Sequence, residues 1–413
     1  MIVTDHHLHG ETLPRTLVVS AQADEVPETR VLTGAGVAFK LLHGVLKLRK
    51  QRGQSAFGLR ELIDLVALGT VADAGRMVGE NRILVHYGLK LFNRPDVRLG
   101  LKELRACFAR KTETPVSTSD LGFQFAPRIN AAGRLATPDE AFYLLTTDSP
   151  DAAASLALRL DKLNQERRKE EDRMVSEAIR KLEPKGKPFA ASAAVVSSKK
   201  WHPGVAGIAA ARLCGLYGVP AAICVEDEDG SLKGSVRVPE GYQAADLLAA
   251  GGEFLSGFGG HAAAAGFTVK PEQFRRFKKA FESAAAVQAK GVVQGRMLHL
   301  DGILETAELT FGFFDGCRRL EPFGEGHPVP RWGLCGVRLR NVRATADGRH
   351  LQCGLEAVST TFNAVWFSPG ETVLERVKAL EGSWVDAAFR LTLDDFFTPP
   401  RIKLVLEDIA EKD

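Results

Sequence analysis

The sequence predicts an α/β fold that ends in a small β-barrel, and three observations lead to this prediction. Helical periodicity alternates with short apolar strands in residues 1–145 and again in residues 189–285, a pattern typical of layered α/β domains. A long charged helix separates these two regions. Residues 295–410 contain about five short β-rich segments and one helical segment, as in an OB-like barrel. We therefore expect four regions: residues 1–148, 149–188, 189–290 and 291–413.

The first region opens on a strand, because apolar residues 2–3 run directly into polar ones. Hydrophobic spacing then predicts helices over residues 34–49, 59–69, 81–93 and 101–109. The second of these helices is expected to end in a turn over residues 69–73.

The predicted separating helix runs from residue 151 to 182 without glycine or proline. Ser149 supplies a cap and Pro150 a first-turn proline. The pairs Glu177/Lys181 and Arg168/Asp172 have i,i+4 spacing. So many charges indicate a solvated connector between domains, although an ordinary surface helix fits equally well.

The third region has βαβ-like patterning, and the last region is rich in strands. Strands are predicted over residues 193–197, 221–225 and 232–237, and helices over residues 204–216, 243–248 and 271–285, with a glycine-rich loop at residues 257–260. The barrel strands are predicted over residues 332–340, 351–355, 363–367, 385–391 and 401–406, with a helix at residues 372–380.

Length, net charge and the lengths of apolar runs limit the classes of protein to which the chain can belong. A chain of 413 residues predicts two to three domains. The net charge of +3, from 54 Lys and Arg against 51 Asp and Glu, gives no global basic field, although a local groove can still be basic. Apolar runs such as residues 262–267 are too short to cross a bilayer, and no secretory signal pattern is found.

The cysteines are scattered and form no CxxC pair. We expect reduced core thiols in a cytoplasmic protein, and neither a zinc site nor a disulfide framework. The six residues are Cys107, Cys214, Cys224, Cys317, Cys335 and Cys353.

Two stretches could hold a metal ion. Asp5, His6 and His7 follow the first strand, and imidazole and carboxylate groups are common ligands of divalent ions. The alternative is a surface turn with two histidines. Asp73 ends an apolar helix, where the helix dipole does not favour an acid but a bound cation would. Its alternative is an ordinary turn aspartate.

Two further stretches could bind phosphate. Arg128, Asn130 and Arg134 lie in a short apolar segment, and arginine forks suit phosphate oxygens. The alternative is a structural role in salt bridges. No P-loop or Rossmann fingerprint is present to indicate a nucleoside triphosphate or NAD site.

The second of these stretches, Gly259-Gly260-His261, precedes the small residues 262–266. It predicts a glycine turn that opens a helix and presents N–H groups to an anion. Ser235 and Arg237 on a preceding strand could reach the same point. The alternative is a tight turn with a capping histidine.

Residues 320–330 contain prolines and glycines that predict a rigid linker into the barrel. Phe323 and Trp332 could stack on bases, as aromatic residues do on single-strand-binding barrels. Packing in the linker or core is the favoured alternative.

Taken in order, these stretches resemble the RecJ branch of the DHH phosphoesterase superfamily over nearly the whole chain. The similar segments are residues 3–13, 34–39, 69–73 with 81–82, 125–134, 161–166, 201–208, 233–237, 259–261 and 320–330. The resemblance implies a partial DHH parallel-sheet domain, a connector helix, a DHHA1 domain and an OB domain. It further implies a 5′→3′ exonuclease that degrades single-stranded DNA to 5′-mononucleotides in repair and recombination.

The resemblance also implies site residues. Two divalent ions, Mn²⁺ or Mg²⁺, would activate water, with His6 and Asp73 as ligands. Asp5 and His7 would support the site or polarise the scissile phosphate. Phosphate near the ions would be faced by Arg128, Asn130 and Arg134. The terminal nucleotide would be held by Ser235, Arg237, Gly259, Gly260 and His261. Implied partners are single-stranded DNA, single-strand-binding protein and a RecQ-type helicase, for a cytoplasmic monomer.

The sequence also departs from the family pattern. The family places a DxD-type pair and a further acid before the DHH motif, so we expect residues 1–148 to represent the C-terminal part of a catalytic domain. Residues 18–31 and 74–78 also differ from the usual pattern. One alternative is an inactive relative that binds single-stranded nucleic acid. Another is a phosphodiesterase of short oligonucleotides or cyclic dinucleotides, against which the barrel argues.

Overall fold

The structure of the protein, a computed structural model, divides into two units. The described residues are 1–7, 13–23, 30–55, 57–108, 114–227, 229–291, 297–346, 348, 350–357, 360–394, 397 and 399–412. One unit comprises Met1–Leu91 and Arg296–Asp413, and the other comprises Phe92–Gly295. The predicted boundary after residue 290 lies close to a unit border, whereas the one after residue 148 falls inside the second unit.

The first unit begins with two parallel strands, β1 (Ile2–Asp5) and β2 (Leu17–Ser20). Three helices follow: α1 (Gly34–Gln51), α2 (Ile63–Ala72) and α3 (Gly79–Phe92). The helix predicted over residues 59–69 instead starts as a 3₁₀ turn and continues through Gly69 to Ala72. Gly69 lets α2 pack closely on α1, because a Cβ there would lie 2.7 Å from the Ala35 Cβ.

The second unit begins with helices. These are α4 (Leu99–Ala106), α5 (Thr118–Asp120), α6 (Ala126–Leu135), α7 (Asp139–Thr146) and α8 (Pro150–Leu182), with a π-helical turn, Leu121–Phe125, before α6. Residue 109, the end of a predicted helix, lies outside the described residues.

Helix α8 begins as predicted, because the Ser149 side chain accepts a hydrogen bond from the Ala152 N–H. It is not solvated all round: one face, including Leu160, Leu163 and Met174, is buried, as in the surface-helix alternative. The Glu177–Lys181 pair is confirmed at 3.5 Å. The predicted Arg168/Asp172 pair is wrong, since Asp172 pairs with Arg212. Hydrophobic burial therefore places this helix inside a packed unit.

A five-stranded sheet completes the second unit. Its elements are β3 (Ala194–Ser198), α9 (Pro203–Tyr217), β4 (Ala221–Glu226), β5 (Leu232–Arg237), α10 (Ala244–Ala249), β6 (Leu255–Gly260), β7 (Ala264–Val269) and α11 (Phe274–Ala289). The strand order is β3-β4-β5-β7-β6. Strands β3 and β4 are parallel across α9, as predicted, and the remaining pairs are antiparallel.

Two predictions in this sheet are wrong. The glycine-rich loop at residues 257–260 is part of β6, and the small residues expected to form a helix enter β7. Alternate residues Ala265, Phe267 and Val269 are buried in the core, so period-two burial decides the structure of this weakly patterned segment.

The remaining part of the first unit is a closed five-stranded barrel, as predicted. It contains β8 (Gly302–Ile303), α12 (Phe311–Arg318), β9 (Trp332–Ala344), β10 (His350–Glu356), β11 (Thr361–Phe367), α13 (Glu371–Ala379), β12 (Trp384–Asp394) and β13 (Arg401–Glu411). The order β10-β11-β13-β12-β9 closes through the pairing of β9 with β10.

All six cysteines are free. Cys224 and Cys353 are buried as predicted, and burial raises the pKa of the Cys353 thiol to about 12. Cys335 is exposed, so the prediction of a core thiol is wrong there. Among the helices of the described residues, none combines the length and apolar character that a membrane span needs.

Candidate metal centre and anion site

His6 and Asp73, the predicted metal ligands, lie together in the first unit. The His6 Nε2 atom is 2.8 Å from an Asp73 carboxylate oxygen. His6 follows β1, and its ring packs against the start of α1, where a Cβ on Gly34 would lie 3.4 Å from the His6 Nδ1 atom. The DHH-like motif continues through residues 8–12, which lie outside the described residues.

The position of Asp73 follows from how α2 ends. The Asp73 N–H donates to the Gly69 carbonyl at 3.1 Å, and Ala74 then adopts a positive φ of 52°. Gly75 follows, and a Cβ there would lie 2.4 Å from the Thr33 Cγ2 atom. Thr33 is the residue that immediately precedes α1. The end of α2 is therefore pressed against the start of α1, next to His6.

Asp5 organises the other side of this group. One of its oxygens lies 2.7 Å from the His7 Nδ1 atom and accepts the His6 and His7 backbone N–H groups at 2.7 and 3.2 Å. The His7 side chain, followed by these backbone hydrogen bonds, lowers the pKa of Asp5 to about 2. The carboxylate is therefore ionised at neutral pH.

The donor set fits a divalent ion. Donor atoms of Asp5, His6 and His7 lie within 4.8 Å of one another. Two adjacent ligands of an octahedral ion with bonds of ~2.1 Å lie about 3 Å apart, close to the separation of the His6 and Asp73 atoms. Carboxylate donors suit both Mn²⁺ and Mg²⁺, and imidazole nitrogen is a common ligand of divalent transition-metal ions. His6 and Asp73 could therefore share one ion.

In the second unit, Arg134 and Arg237 converge on the first turns of α9. The Arg134 Nη1 atom donates to the Gly204 carbonyl at 3.0 Å. A Cβ on Gly204 would lie 2.3 Å from the Arg134 carbonyl, so only glycine permits this approach of α6 to α9. A Cβ on Gly207 would lie 3.0 Å from an Arg237 nitrogen and 3.6 Å from the Ser235 hydroxyl.

Strand pairing places the glycine segment beside Ser235. Ser235 on β5 pairs with Gly266 on β7, which pairs with Gly259 on β6. These three backbone positions form one row about 10 Å wide. The His261 N–H donates to the Ala264 carbonyl at 2.8 Å in the tight turn that follows, where Gly260 has a φ of 151°. The predicted helix N-terminus is replaced by a hairpin tip.

The arginines of this unit form a cationic cluster. Burial, and then the charges of Arg167 and Arg237, lower the pKa of Arg134. Burial also lowers the pKa of Arg237. In the part of the chain that the structure describes, no carboxylate lies within 4.0 Å of either guanidinium group. Two half-buried guanidinium groups, those of Arg134 and Arg237, without a carboxylate within that distance are suited to binding an anion.

Arg167 is the member of this cluster that sequence reasoning missed. It is buried on α8 and binds the Asn164 side chain and, at 2.9 Å, Glu171. The buried positions 160, 163, 164 and 167 of α8 follow helical spacing. Helical spacing therefore could have placed Arg167 on the buried face of α8. An arginine on such a face needs an ionic partner.

Helix α6 separates the predicted phosphate residues. Asn130 and Arg134 are four residues apart and share a face, with Asn130 exposed. Arg128 is buried on another side, where it pairs with Asp161 at 2.8 Å and lies 4.8 Å from the Phe108 ring centroid. This geometry favours the structural interpretation of Arg128, while its contact with phosphate stays a prediction.

The two aromatic residues considered for base stacking have partners within the first unit. The Trp332 ring packs edge-on against Phe313, with centroids 5.0 Å apart. The Phe323 ring stacks on His327 at 5.5 Å. These contacts favour the packing interpretation of both residues.

Comparison with known proteins identifies the family. The DHHA1 domain family matches residues 174–286, and the RecJ OB domain family matches residues 300–408. The single-stranded-DNA-specific exonuclease RecJ of Salmonella typhimurium is 32% identical over 99% of this chain and 73% of that protein. The chain belongs to the RecJ family.

Other RecJ proteins extend this similarity. The Bacillus subtilis exonuclease RecJ is 31% identical over 99% of this chain and 51% of its own length. A crystal structure of RecJ in complex with Mn²⁺ from Thermus thermophilus matches 100% of this chain and 58% of its own, with a TM-score of 0.83 and 30% identity. The chain thus spans about half the length of the Bacillus subtilis RecJ.

Proposed function

We propose that this chain carries the metal-dependent hydrolysis of single-stranded DNA from its 5′ end, releasing 5′-mononucleotides, as in RecJ exonucleases. The observation that carries this proposal is the 2.8 Å approach of His6 to Asp73, beside an ionised Asp5. The RecJ structures from Thermus thermophilus that resemble this chain contain Mn²⁺ or Mg²⁺. These similarities support one of those ions as the cofactor here.

The residues of the centre would have distinct tasks. His6 and Asp73 would hold the ion, and Asp5 would orient His7 and add negative charge beside it. A bound divalent ion lowers the pKa of water and stabilises charge on the phosphodiester. His7, whose side chain is 60% exposed, is accessible to a substrate phosphate.

The arginine cluster would bind the terminal phosphate. Arg134 and Arg237 offer guanidinium N–H groups near Gly204 and Gly207, and Ser235 offers a hydroxyl on the same side of the sheet. The open row through Gly259 gives room for a nucleotide, because a Cβ there would contact nothing within 4 Å. We assign Gly260 and His261 to the edge of this site and Arg167 to its support.

The barrel offers a surface for the single strand. A groove of about 830 Å³ crosses five strands of the barrel, and its polar lining includes Asn341, Arg343, Gln352, Asn363 and Lys403, with Asp394 beside Lys403 at 3.3 Å. Amide and cationic side chains along an OB barrel suit a nucleic-acid backbone. The partners single-strand-binding protein and RecQ-type helicase, the monomeric state and the cytoplasmic location stay predictions of the family resemblance.

The test is release of mononucleotides from 5′-phosphorylated single-stranded DNA with and without Mn²⁺. We expect ion-dependent release that is lost in His6→Ala and Asp73→Ala. Matched controls are His43→Ala on α1 and Asp96→Ala, both surface residues outside the centre. Unchanged activity in His6→Ala or Asp73→Ala would overturn the ligand assignment.

Binding of single-stranded DNA without any ion-dependent release would contradict the proposed hydrolysis. It would instead support the alternative of a relative that binds without cutting.

A further inference from the structure

Residues 320–327, which precede the barrel, contact the chain just after Asp73 in the first unit. We call these eight residues the clip. The Met77 N–H donates to the Glu325 carbonyl at 2.6 Å. The Arg82 Nη2 atom donates to the Leu320 carbonyl at 2.7 Å, which also lies 3.0 Å from the His327 Nε2 atom. The clip is therefore tied through Leu320 to α3 and through Glu325 to the segment between α2 and α3.

The backbone of the clip forms a turn that fits against Met77. The Gly324 and His327 backbones exchange two hydrogen bonds, of 2.9 and 3.1 Å, in a tight turn. That turn presents the Glu325 carbonyl to Met77. A Cβ on Gly324 would lie 2.9 Å from the Met77 Cε atom, and Met77 is 1% exposed. The clip therefore packs directly on the segment that leads away from the metal centre.

The clipped segment is short and leaves Asp73 little freedom. Asp73 and Met77 are separated by three residues, including Ala74 with its positive φ. The next anchor is Asn81, whose side chain donates to the Arg76 carbonyl at 3.0 Å and to the Val31 carbonyl at 2.6 Å. The turn that carries Asp73 is thus held by α2 on one side and by the clip and Asn81 on the other.

We propose that the clip is a positioning element for Asp73, with Arg82 and His327 as its positioning residues. The inference rests on the proposed metal centre. A ligand carboxylate must be held within a few tenths of an ångström of its bonding position, and this precision comes from surrounding contacts. The clip supplies such contacts from a segment about 250 residues away along the chain.

The test measures Mn²⁺ affinity of the full chain by the electron paramagnetic resonance signal of the free ion. Arg82→Ala removes the donor to Leu320, and His327→Ala loosens the clip from its own side. We expect the dissociation constant for Mn²⁺ to rise about tenfold in each. Lys90→Ala, an exposed cation on the same helix as Arg82, is the matched control and should bind like the unmodified chain. Arg82→Lys should recover part of the affinity.

The outcomes separate the two proposals. If the unmodified chain binds no Mn²⁺, or if His6→Ala binds it equally well, the metal centre fails and the inference fails with it. If His6→Ala loses the ion while Arg82→Ala and His327→Ala bind it normally, the clip inference alone is overturned. Thermal unfolding shows whether each variant is folded. If Arg82→Ala does not fold, the dissociation constant of His327→Ala for Mn²⁺ decides whether the clip inference stands.

Discussion

The metal centre and the arginine cluster differ in how their charges are stabilised. Around His6 and Asp73, carboxylates, imidazole rings and hydrogen-bond donors lie close together on an accessible surface, and Asp5 accepts three hydrogen bonds. Around Arg134 and Arg237, cations lie near one another in a half-buried position, and their nearest polar contacts are carbonyl oxygens.

This difference predicts opposite effects of mutation on folding. Substitutions at exposed, locally paired groups change the free energy of unfolding little. Removing a desolvated cation without a carboxylate partner should leave stability unchanged or raise it, because burial of that charge opposes folding. An anionic ligand would supply the opposite charge that Arg134 and Arg237 lack within the described residues.

Asp73→Asn gives the largest expected effect. We expect release of mononucleotides to fall about 1,000-fold, or about 4 kcal/mol, because an amide is a weaker ligand than a carboxylate. The midpoint of thermal unfolding should change little, since the Asp73 side chain is 49% exposed. Calorimetry and the nuclease assay check this, and a large drop in the unfolding midpoint would contradict the view of a locally stabilised centre.

Arg128→Met gives the next effect, on stability. Unlike Arg237, Arg128 has a carboxylate partner, because it is buried and pairs with Asp161 at 2.8 Å. Its removal leaves a carboxylate that is 18% exposed without its cation, which should cost about 3 kcal/mol. Denaturant unfolding measures this cost. Unchanged stability would mean that Arg128 is available for substrate, as the family resemblance predicts.

Arg237→Met should weaken ligand binding without lowering the stability of the fold, in contrast to Arg128→Met. We expect the affinity for a 5′-phosphorylated oligonucleotide to fall about 30-fold, or ~2 kcal/mol, because charge-assisted hydrogen bonds to phosphate are lost. The free energy of unfolding should stay the same or rise by up to about 1 kcal/mol. An oligonucleotide with a 5′-hydroxyl is the control, since its affinity should change less. Equal losses for both would exclude a terminal-phosphate contact.

Much of the fold could be predicted from hydrophobic periodicity. The helix expected over residues 34–49 is Gly34–Gln51, and all five barrel strands lie where their alternation indicates. Periodicity failed at residues 257–266, where glycine and alanine carry little pattern. There, pairing with β5 determines a hairpin, and that pairing depends on distant residues.

The site was predicted less completely, because side-chain direction depends on the local element. The stretch with Arg128 and Arg134 forms a helix, which turns these residues to different sides. The role of Arg167 was not predicted because it depends on burial. The i,i+4 spacing of Arg167 and Glu171 is also that of an ordinary surface ion pair. The approach of His6 to Asp73 needed the packing of α1 on α2, which no spacing in the sequence reveals.

His7→Ala gives the smallest effect and tests the local stabilisation of the metal centre. The pKa of Asp5 is lowered to about 2, so its favourable contacts are complete above its ordinary pKa of 3.8 and are lost as the pH falls through about 2. Removing the His7 side chain, the largest cause, should raise the Asp5 pKa toward 3.8. The remaining backbone N–H donors should keep it below that value. Carboxyl ¹³C NMR titration measures both proteins, with His43→Ala as the control. An unchanged titration midpoint would mean that the backbone donors alone keep the pKa of Asp5 low. The turn after β1, and not the His7 side chain, would then stabilise the Asp5 carboxylate of the metal centre.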